Sequence, residues 1–323
     1  MLSVYVPRGT SLERISIESG QAAPHGAVWI DLTSPTVQED KLVEKLLGIA
    51  VPTREEMQEI EVSSRLYVEN RARYMTATLM CQPDTAPKTT AVTFILSGHR
   101  LATVRYDEPR PFAIVEQKLA RSAHPKVSGE SVLMDLLDAV IDRSADILEH
   151  IGAEVDQISH TIFEPDDEMA PPAYNDVLKA LGRKGDLTSK VRESQVSVGR
   201  LLSFLAHDAE GLKWGKDVRA QLQSMQRDVI SLTDHASYLS NKISFLLDAM
   251  LGVVNIQQNA IIKIFSIAAV VFMPPTLVAS IYGMNFHIGM INLDWAFGYP
   301  YALILIVVAA VVPLVFFKWK KWL

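Results

Sequence analysis

Two stretches near the C-terminal end of this 323-residue chain, 264–286 and 295–317, contain no Asp, Glu, Lys or Arg. Each exceeds the roughly 20 apolar residues that a helix needs to cross the hydrocarbon core of a bilayer. Backbone in hydrocarbon must satisfy its own hydrogen bonds, so each run is predicted to be a transmembrane helix. Lys263 precedes the first run, and Lys318, Lys320 and Lys321 follow the second, whereas the connecting loop has no Lys or Arg. The positive-inside rule then predicts both termini in the cytosol and the loop outside. Trp295, Tyr299 and Tyr301 at one end of the second span, with Trp319 and Trp322 at the other, suit the two aromatic belts.

The rest of the chain is charge-rich. A formal net charge of −6 and a pI near 5.8 argue against a nucleic-acid partner. The single cysteine, Cys81, excludes an internal disulfide and fits a reducing compartment. The start, MLSVYVPRGT, lacks the basic and apolar regions of a secretory signal. No phosphate loop or nucleophile motif is present, and the eight histidines form no metal-ligand pair. Neither an enzyme nor an organic cofactor is therefore expected.

Residues 1–126 read as a cytosolic α/β domain. SVYVPRG, LERISIE and AVWIDLT have strand character, as do RLYVENRARYMTATLMC and TTAVTFILSGHRLATVRY, the last turning at Ser97-Gly98. TVQEDKLVEKLLG has helical spacing with Thr36 as its cap, and RPFAIVEQKLARSA is a second helix. Over 127–215 the period lengthens. Val132, Leu133, Leu136, Leu137, Val140, Ile141, Ile147, Leu148, Ile151, Val155 and Ile158 form one long apolar helical face. It stops near FEPDDEMAPP, and a second helix runs from about Tyr174 to Asp208 before EGLKWG, so the two helices are antiparallel.

Residues 216–283 read as one stalk helix on the order of 100 Å long at 1.5 Å per residue, including the first span at about 263–283. Leu222, Met225, Val229, Leu232, Ala236, Leu239, Ile243, Leu246, Met250 and Val253 repeat at alternating steps of three and four, a heptad seam for helix-on-helix packing. One residue back runs a second heptad stripe: Asp234, Tyr238, Asn241, Phe245, Asp248, Gly252, Asn255, Asn259, Ile262, Ser266, Ala269, Met273, Thr276 and Ser280. Within the membrane this stripe spans about 100° of the helix and collects all the Ser and Thr of the span. Polar side chains in hydrocarbon seek partners or water, so the stripe is expected to face protein or a wet cavity, as a pore-lining face does. The hydroxyls bonding back to their own helix is the bland alternative. Two spans cannot enclose a pore, so a channel would be a symmetric ring with the second span, 297–317, on its outside.

At the end of the first span, FMPPTLVASIYGMNF, followed by WAFGYP and FFKWKKWL, resembles the CorA-type magnesium transporters. The likeness is specific at Asn259, across residues 263–286 and in the tail; the α/β region matches in length and character. It implies an α+β membrane protein that forms a homopentamer in the bacterial inner membrane. A cytosolic α/β domain and helical stalk would lead to the two spans and the basic tail, 318–323. It further implies passive, gated uptake of hydrated Mg²⁺, with Co²⁺ or Ni²⁺ as further cargo. Gly283, Met284 and Asn285 would be the selectivity ring in the loop 284–296. Asn259, Ile262, Phe265, Ala269, Met273, Thr276, Ser280 and Asn285 fall on the family's pore-lining positions, and Asp248 and Asn255 would line the cytosolic mouth. Hydrated Mg²⁺ holds its waters tightly, which suits a ring of amide oxygens. Gly283 is expected to turn the chain sharply at the helix end.

HIGMINLD departs from the family's acidic loop, with only Asp294 acidic and His287 where a glutamate is common. That departure should weaken attraction of cations to the mouth. Alternatives are a zinc-transporting, proton-coupled relative of the same fold and a membrane-anchored scaffold or sensor. Asp135, Asp138, Asp142, Asp146 and Glu149 form an acidic line on the first long helix, either a solvated face or a regulatory Mg²⁺ site. If it is regulatory, alanine replacements along it will abolish channel closure by internal Mg²⁺; unchanged closure in a flux assay returns the line to a solvated face.

Overall fold

The computed structural model describes residues 1–8, 11–17, 24, 26–84, 86–121, 127–163, 174–208, 214–284 and 297–320. Its two compact units are Met1–Leu247 and Asp248–Leu323. The sequence divisions at 126/127 and 215/216 both fall inside the first unit.

That unit is built on a seven-stranded sheet. Its strands are β1 (Leu2–Arg8), β2 (Ser11–Ile17), β3 (Trp29–Thr33), β4 (Leu66–Glu69), β5 (Ala72–Cys81), β6 (Lys88–Ser97) and β7 (Arg100–Arg105), in the order β2-β1-β3-β7-β6-β5-β4. Every pairing is antiparallel except β3 with β7. Parallel neighbours need a long crossover, which the chain between Thr33 and Arg100 supplies. The β4–β5 hairpin turns through Asn70 and Arg71 at φ of 49° and 67°, the left-handed pair that matches strand twist. The β6–β7 turn lies one residue later than its sequence position: Ser97 stays in the strand and Gly98, at φ 57°, begins the turn.

Helices α1 (Val37–Leu47), α2 (Arg54–Met57), α3 (Val62–Arg65) and α4 (Arg110–Arg121) flank the sheet in sequence. Thr36 caps α1 as expected, in a reciprocal box with Glu39, and Gly48 ends it in the left-handed conformation. The short α2 and α3 were not legible as helices, and Arg65, read as strand, closes α3. Period-two alternation sorts the sheet's side chains onto two faces. Leu2, Val4, Ile30, Leu32, Tyr74, Ile95, Ala102 and Val104 join Val43 of α1 and Met57 of α2 in one core. Tyr5, Trp29, Met75, Phe94 and Leu101 join Phe112 and Val115 of α4 and the long helices in the other.

Three long helices complete the first unit: α5 (Gly129–Phe163), α6 (Tyr174–Asp208) and the N-terminal part of α7 (Lys216–Tyr282). The apolar face expected on α5 is buried from Val132 to Val155. Gly129 starts α5 against the β6–β7 turn, where a Cβ would lie 2.5 Å from the Leu101 backbone nitrogen, so no side chain fits. α8 (Gly298–Trp319) follows in the second unit. Among the described residues α7 and α8 are the helices long and apolar enough to span a membrane. The sheet and its helices therefore form one body with α6 and the start of α7, because Val198, Leu201, Leu222, Met225 and Val229 share the sheet's core.

A buried polar network ties β3 to β7. Asp31, 3% exposed, accepts from Arg105 Nη2 at 2.8 Å and from Thr103 Oγ1 at 2.6 Å, and Trp29 Nε1 donates to Thr103 Oγ1 at 3.0 Å. The Arg105 guanidinium also sits 4.8 Å from the centre of the Phe112 ring. Removing one member of a buried pair strands the other charge. Asp31→Ala is therefore expected to destabilise the protein by about 3–5 kcal/mol, measured by denaturant unfolding of the full chain in detergent.

Candidate functional site

Helix α7 carries two heptad stripes, and the fold treats them oppositely. In the first unit the seam residues Leu222, Met225, Val229, Ala236, Leu239, Ile243 and Leu246 are all buried. The burial is against the chain's own helices at glycine positions. A Cβ on Gly199 of α6 would lie 3.2 Å from Val229, one on Gly152 of α5 would lie 3.8 Å from Leu239, and one on Gly185 of α6 would lie 3.7 Å from Ile243. Of these three, Gly199 is the tight one, where Val229 would have to give way to a Cβ; at Gly152 and Gly185 a Cβ would make ordinary van der Waals contact. The seam predicted for helix packing is thus satisfied within one chain.

The neighbouring stripe is left uncovered. Asp234, Tyr238, Asn241 and Phe245 are exposed in the first unit, as are Asp248, Gly252, Asn255, Asn259, Ile262, Ser266, Met273, Thr276 and Ser280 in the second. Ala269 is half-buried, and Phe265, beside the stripe, is exposed. Phe265 and Met273 expose 71% and 69% of their surface, far more than a side chain packed by its own chain retains. Exposure does not by itself mark this face in the membrane-length part of α7, where Ile264, Phe272 and Leu277 off the stripe expose 66%, 69% and 62%; what sets the stripe apart is its Asn, Ser and Thr side chains.

Local chemistry shapes the end of that face. Pro274 and Pro275 lie inside α7, where they supply no N–H to the carbonyls of Val270 and Val271. The Thr276 hydroxyl donates back to Phe272 O at 2.7 Å, which satisfies it in an apolar setting and leaves its oxygen lone pairs outward. Gly283 N donates to Ala279 O at 2.9 Å, and Met284 N to Ile281 O at 3.3 Å, closing the last turn. Gly283 has no positive φ, and the path of the chain after Met284, where the expected sharp turn would show, lies outside the described residues. The need for glycine is steric: a Cβ there would press on Ala279 O at 3.1 Å. No basic side chain occupies the last turn, so the negative pole of the helix dipole is not neutralised. Gly283 and Met284 lie exposed at this end. Asn285, the departing loop with His287 and Asp294, Trp295, and the tail beyond Lys320 lie outside the described residues, as do the FEPDDEMAPP break and most of EGLKWG.

The acidic line on α5 is partly neutralised. Asp135 accepts from Lys118 at 2.7 Å, and Asp146 lies 4.0 Å from Arg143. Asp138 is half-buried, while Asp142, Asp146 and Glu149 are exposed. Among the described residues no three His, Cys, Asp or Glu side chains converge into a metal cage. Burial, followed by the Asp142 charge, pushes the Asp138 carboxyl above the usual carboxylate range, against the opposing pull of Lys118.

Two apolar spans, the first with Ser and Thr on one face and following an α/β unit in sequence, define a two-span membrane protein. The profile of the family described as CorA-like Mg2+ transporter protein matches residues 24–321. The chain is 36% identical over 327 residues to the magnesium transport protein CorA of Escherichia coli K12, with all of both chains covered. Its fold superposes on the complete CorA magnesium transporter of Methanocaldococcus jannaschii with a TM-score of 0.76 at 17% identity, covering 100% of this chain and 99% of that one. It also superposes on full-length CmaX with a TM-score of 0.73 at 16% identity, covering 100% and 98%. The chain belongs to the CorA-like Mg²⁺ transporter family.

The Asp138 shift has a sign. A carboxyl whose folded pKa is raised contributes stability below its unfolded pKa of about 3.9 and loses it as pH climbs through the folded value. Asp138→Asn should therefore leave the melting temperature little changed near pH ~4 and raise it at neutral pH in metal-free buffer. Melting curves of the full chain across that range check this.

Proposed function

We propose that this chain is one subunit of a homo-oligomeric channel that takes up Mg²⁺ passively. The observation that carries this reading is the line of Asn, Ser and Thr side chains along one face of α7 from Asn255 to Ser280, which runs to the exposed Gly283 and Met284 at the helix end. A polar face in hydrocarbon must be covered by protein or water. A second copy of the same face around a symmetry axis supplies both, and a heterologous contact that closes gives a ring. A pentamer is the ring that the family resemblance implies. The excess of lysine at the tail and its lack in the loop support cytosolic termini in an inner membrane.

In this ring Asn285 presents amide oxygens to the waters of an arriving ion, so the ion need not be stripped at the mouth. Converging C-terminal helix poles attract the cation without a carboxylate in the filter. Ile262, Phe265 and Met273 form apolar collars that close by narrowing and dewetting. Thr276 and Ser280 offer oxygen between collar and filter, and Asn259, Asn255 and Asp248 lead toward the cytosol. Binding of internal Mg²⁺ at the acidic line of α5 would favour the closed ring by neutralising its mutual repulsion. The weakly acidic loop after the filter is expected to relax preference among Mg²⁺, Co²⁺ and Ni²⁺. The chain performs no catalysis on this reading.

Reconstitution in liposomes tests the proposal. Wild-type protein should pass Mg²⁺ without a pH gradient, and Asn285→Ala should lose at least about tenfold in flux while its oligomer stays intact, a change of about 1.4 kcal/mol in barrier. Dependence on a proton gradient with Zn²⁺ as the preferred ion would instead select the zinc-transporting alternative. An absence of any flux from intact wild-type oligomers would select the scaffold.

A further inference from the structure

The outer edge of β5 is covered by β4 only from Ala72 to Met75. Beyond it the edge is closed by α6, whose Ser197 hydroxyl accepts from Thr78 N at 2.9 Å, rather than by another strand. Two adjoining cavities of about 230 and 470 Å³ open along this edge, sharing Arg65, Thr78 and Glu193 in their walls. Arg54 lines the smaller one, and Arg192 and Arg200 of α6 line the larger.

The charge in these walls is one-sided. Arg65 is held in place by Glu59 O at 2.5 Å and by Thr78 Oγ1 at 3.1 Å, both uncharged acceptors. Arg54 lies 5.1 Å over the Tyr106 ring and also acts on the Asp107 carboxylate, whereas Arg192 and Arg200 form no ion pair among the described residues. Against these four guanidiniums stands Glu193, because Asp107, the other acidic wall residue, is already paired with Lys88 at 2.5 Å. Of the wall hydroxyls, Ser189 already donates to Gly185 O and Thr90 to Asp107, which leaves those of Thr78, Thr89 and Ser197 as donors. None of these groups takes part in the uncovered face of α7.

We infer that this paired cavity binds a polyphosphate anion, either inorganic or part of a nucleotide. Guanidinium forks match phosphate oxygens two at a time, and hydroxyls complete the remaining bonds. Two joined cavities, each with its own arginine and with Arg65 between them, match two linked phosphoryl groups better than one. Their concave shape and size fit a small ligand rather than a protein surface. The inference is independent of which ion the membrane helices carry.

Calorimetric titration of the full-length protein in detergent, with free Mg²⁺ clamped in excess, tests this. The probes are pyrophosphate, inorganic phosphate, sulfate and ATP. Pyrophosphate should bind saturably and at least about tenfold tighter than inorganic phosphate or sulfate. The double variant Arg192→Gln/Arg200→Gln, on exposed positions of α6, should weaken pyrophosphate by at least about tenfold. Arg54→Gln, on a different helix, should also weaken it and serves should the double variant misfold. ATP binding tighter than pyrophosphate assigns a nucleotide, and equal binding assigns the inorganic ion. Absence of saturable pyrophosphate binding at millimolar concentration, equal affinity for sulfate, or unchanged affinity in the folded arginine variants overturns the inference.

Discussion

A helix that enters hydrocarbon must leave no polar group without a partner, and α7 meets this demand on only part of its surface. Its backbone closes on itself through most of its length, and the Thr276 hydroxyl folds back onto Phe272 O. The two prolines and the line of Asn, Ser and Thr do not fit a helix designed to face lipid on all sides. They fit one whose polar face meets water or protein, which is the basis of the channel proposed above.

The α/β unit answers a different demand. Its sheet is buried on both sides, so each strand alternates between two cores instead of between core and water. Within that apolar setting Asp31 and Arg105 form a charged link between the two strands that run parallel. Full pairing, with Thr103 and Trp29 completing the hydrogen bonds, is what makes a buried charge tolerable there. α5 and α6 pack on one side of this sheet and offer their glycines to α7. Leu239, Ile243 and Val229 seat against Gly152, Gly185 and Gly199 of these helices, which buries the seam within the first unit.

Much of this was legible in the chain because it depends on near neighbours. The Thr36–Glu39 box is a contact across three residues, and the α5 apolar face is a periodicity. The limits were equally local. α2 and α3 are four residues each, too short to show a period, and the turn at Gly98 slipped by one residue. Glycine at position 283 was anticipated as a place for the chain to turn, whereas the closeness of the Ala279 carbonyl one turn back was not. The Asp31–Arg105 link joins residues 74 apart, and the arginines of the β5 edge come from α2, α3 and α6, so neither left a spacing to read.

The amino-acid sequence by itself determined the two spans, the long helix and the presence of two heptad stripes upon it. Hydropathy and helical period are properties of consecutive residues, and no distant contact can change them. What would cover the packing stripe was decided only by tertiary structure. Heptad spacing asks for a partner helix without naming it, and in the first unit α5 and α6 of the same chain supply one where Leu239, Ile243 and Val229 meet them.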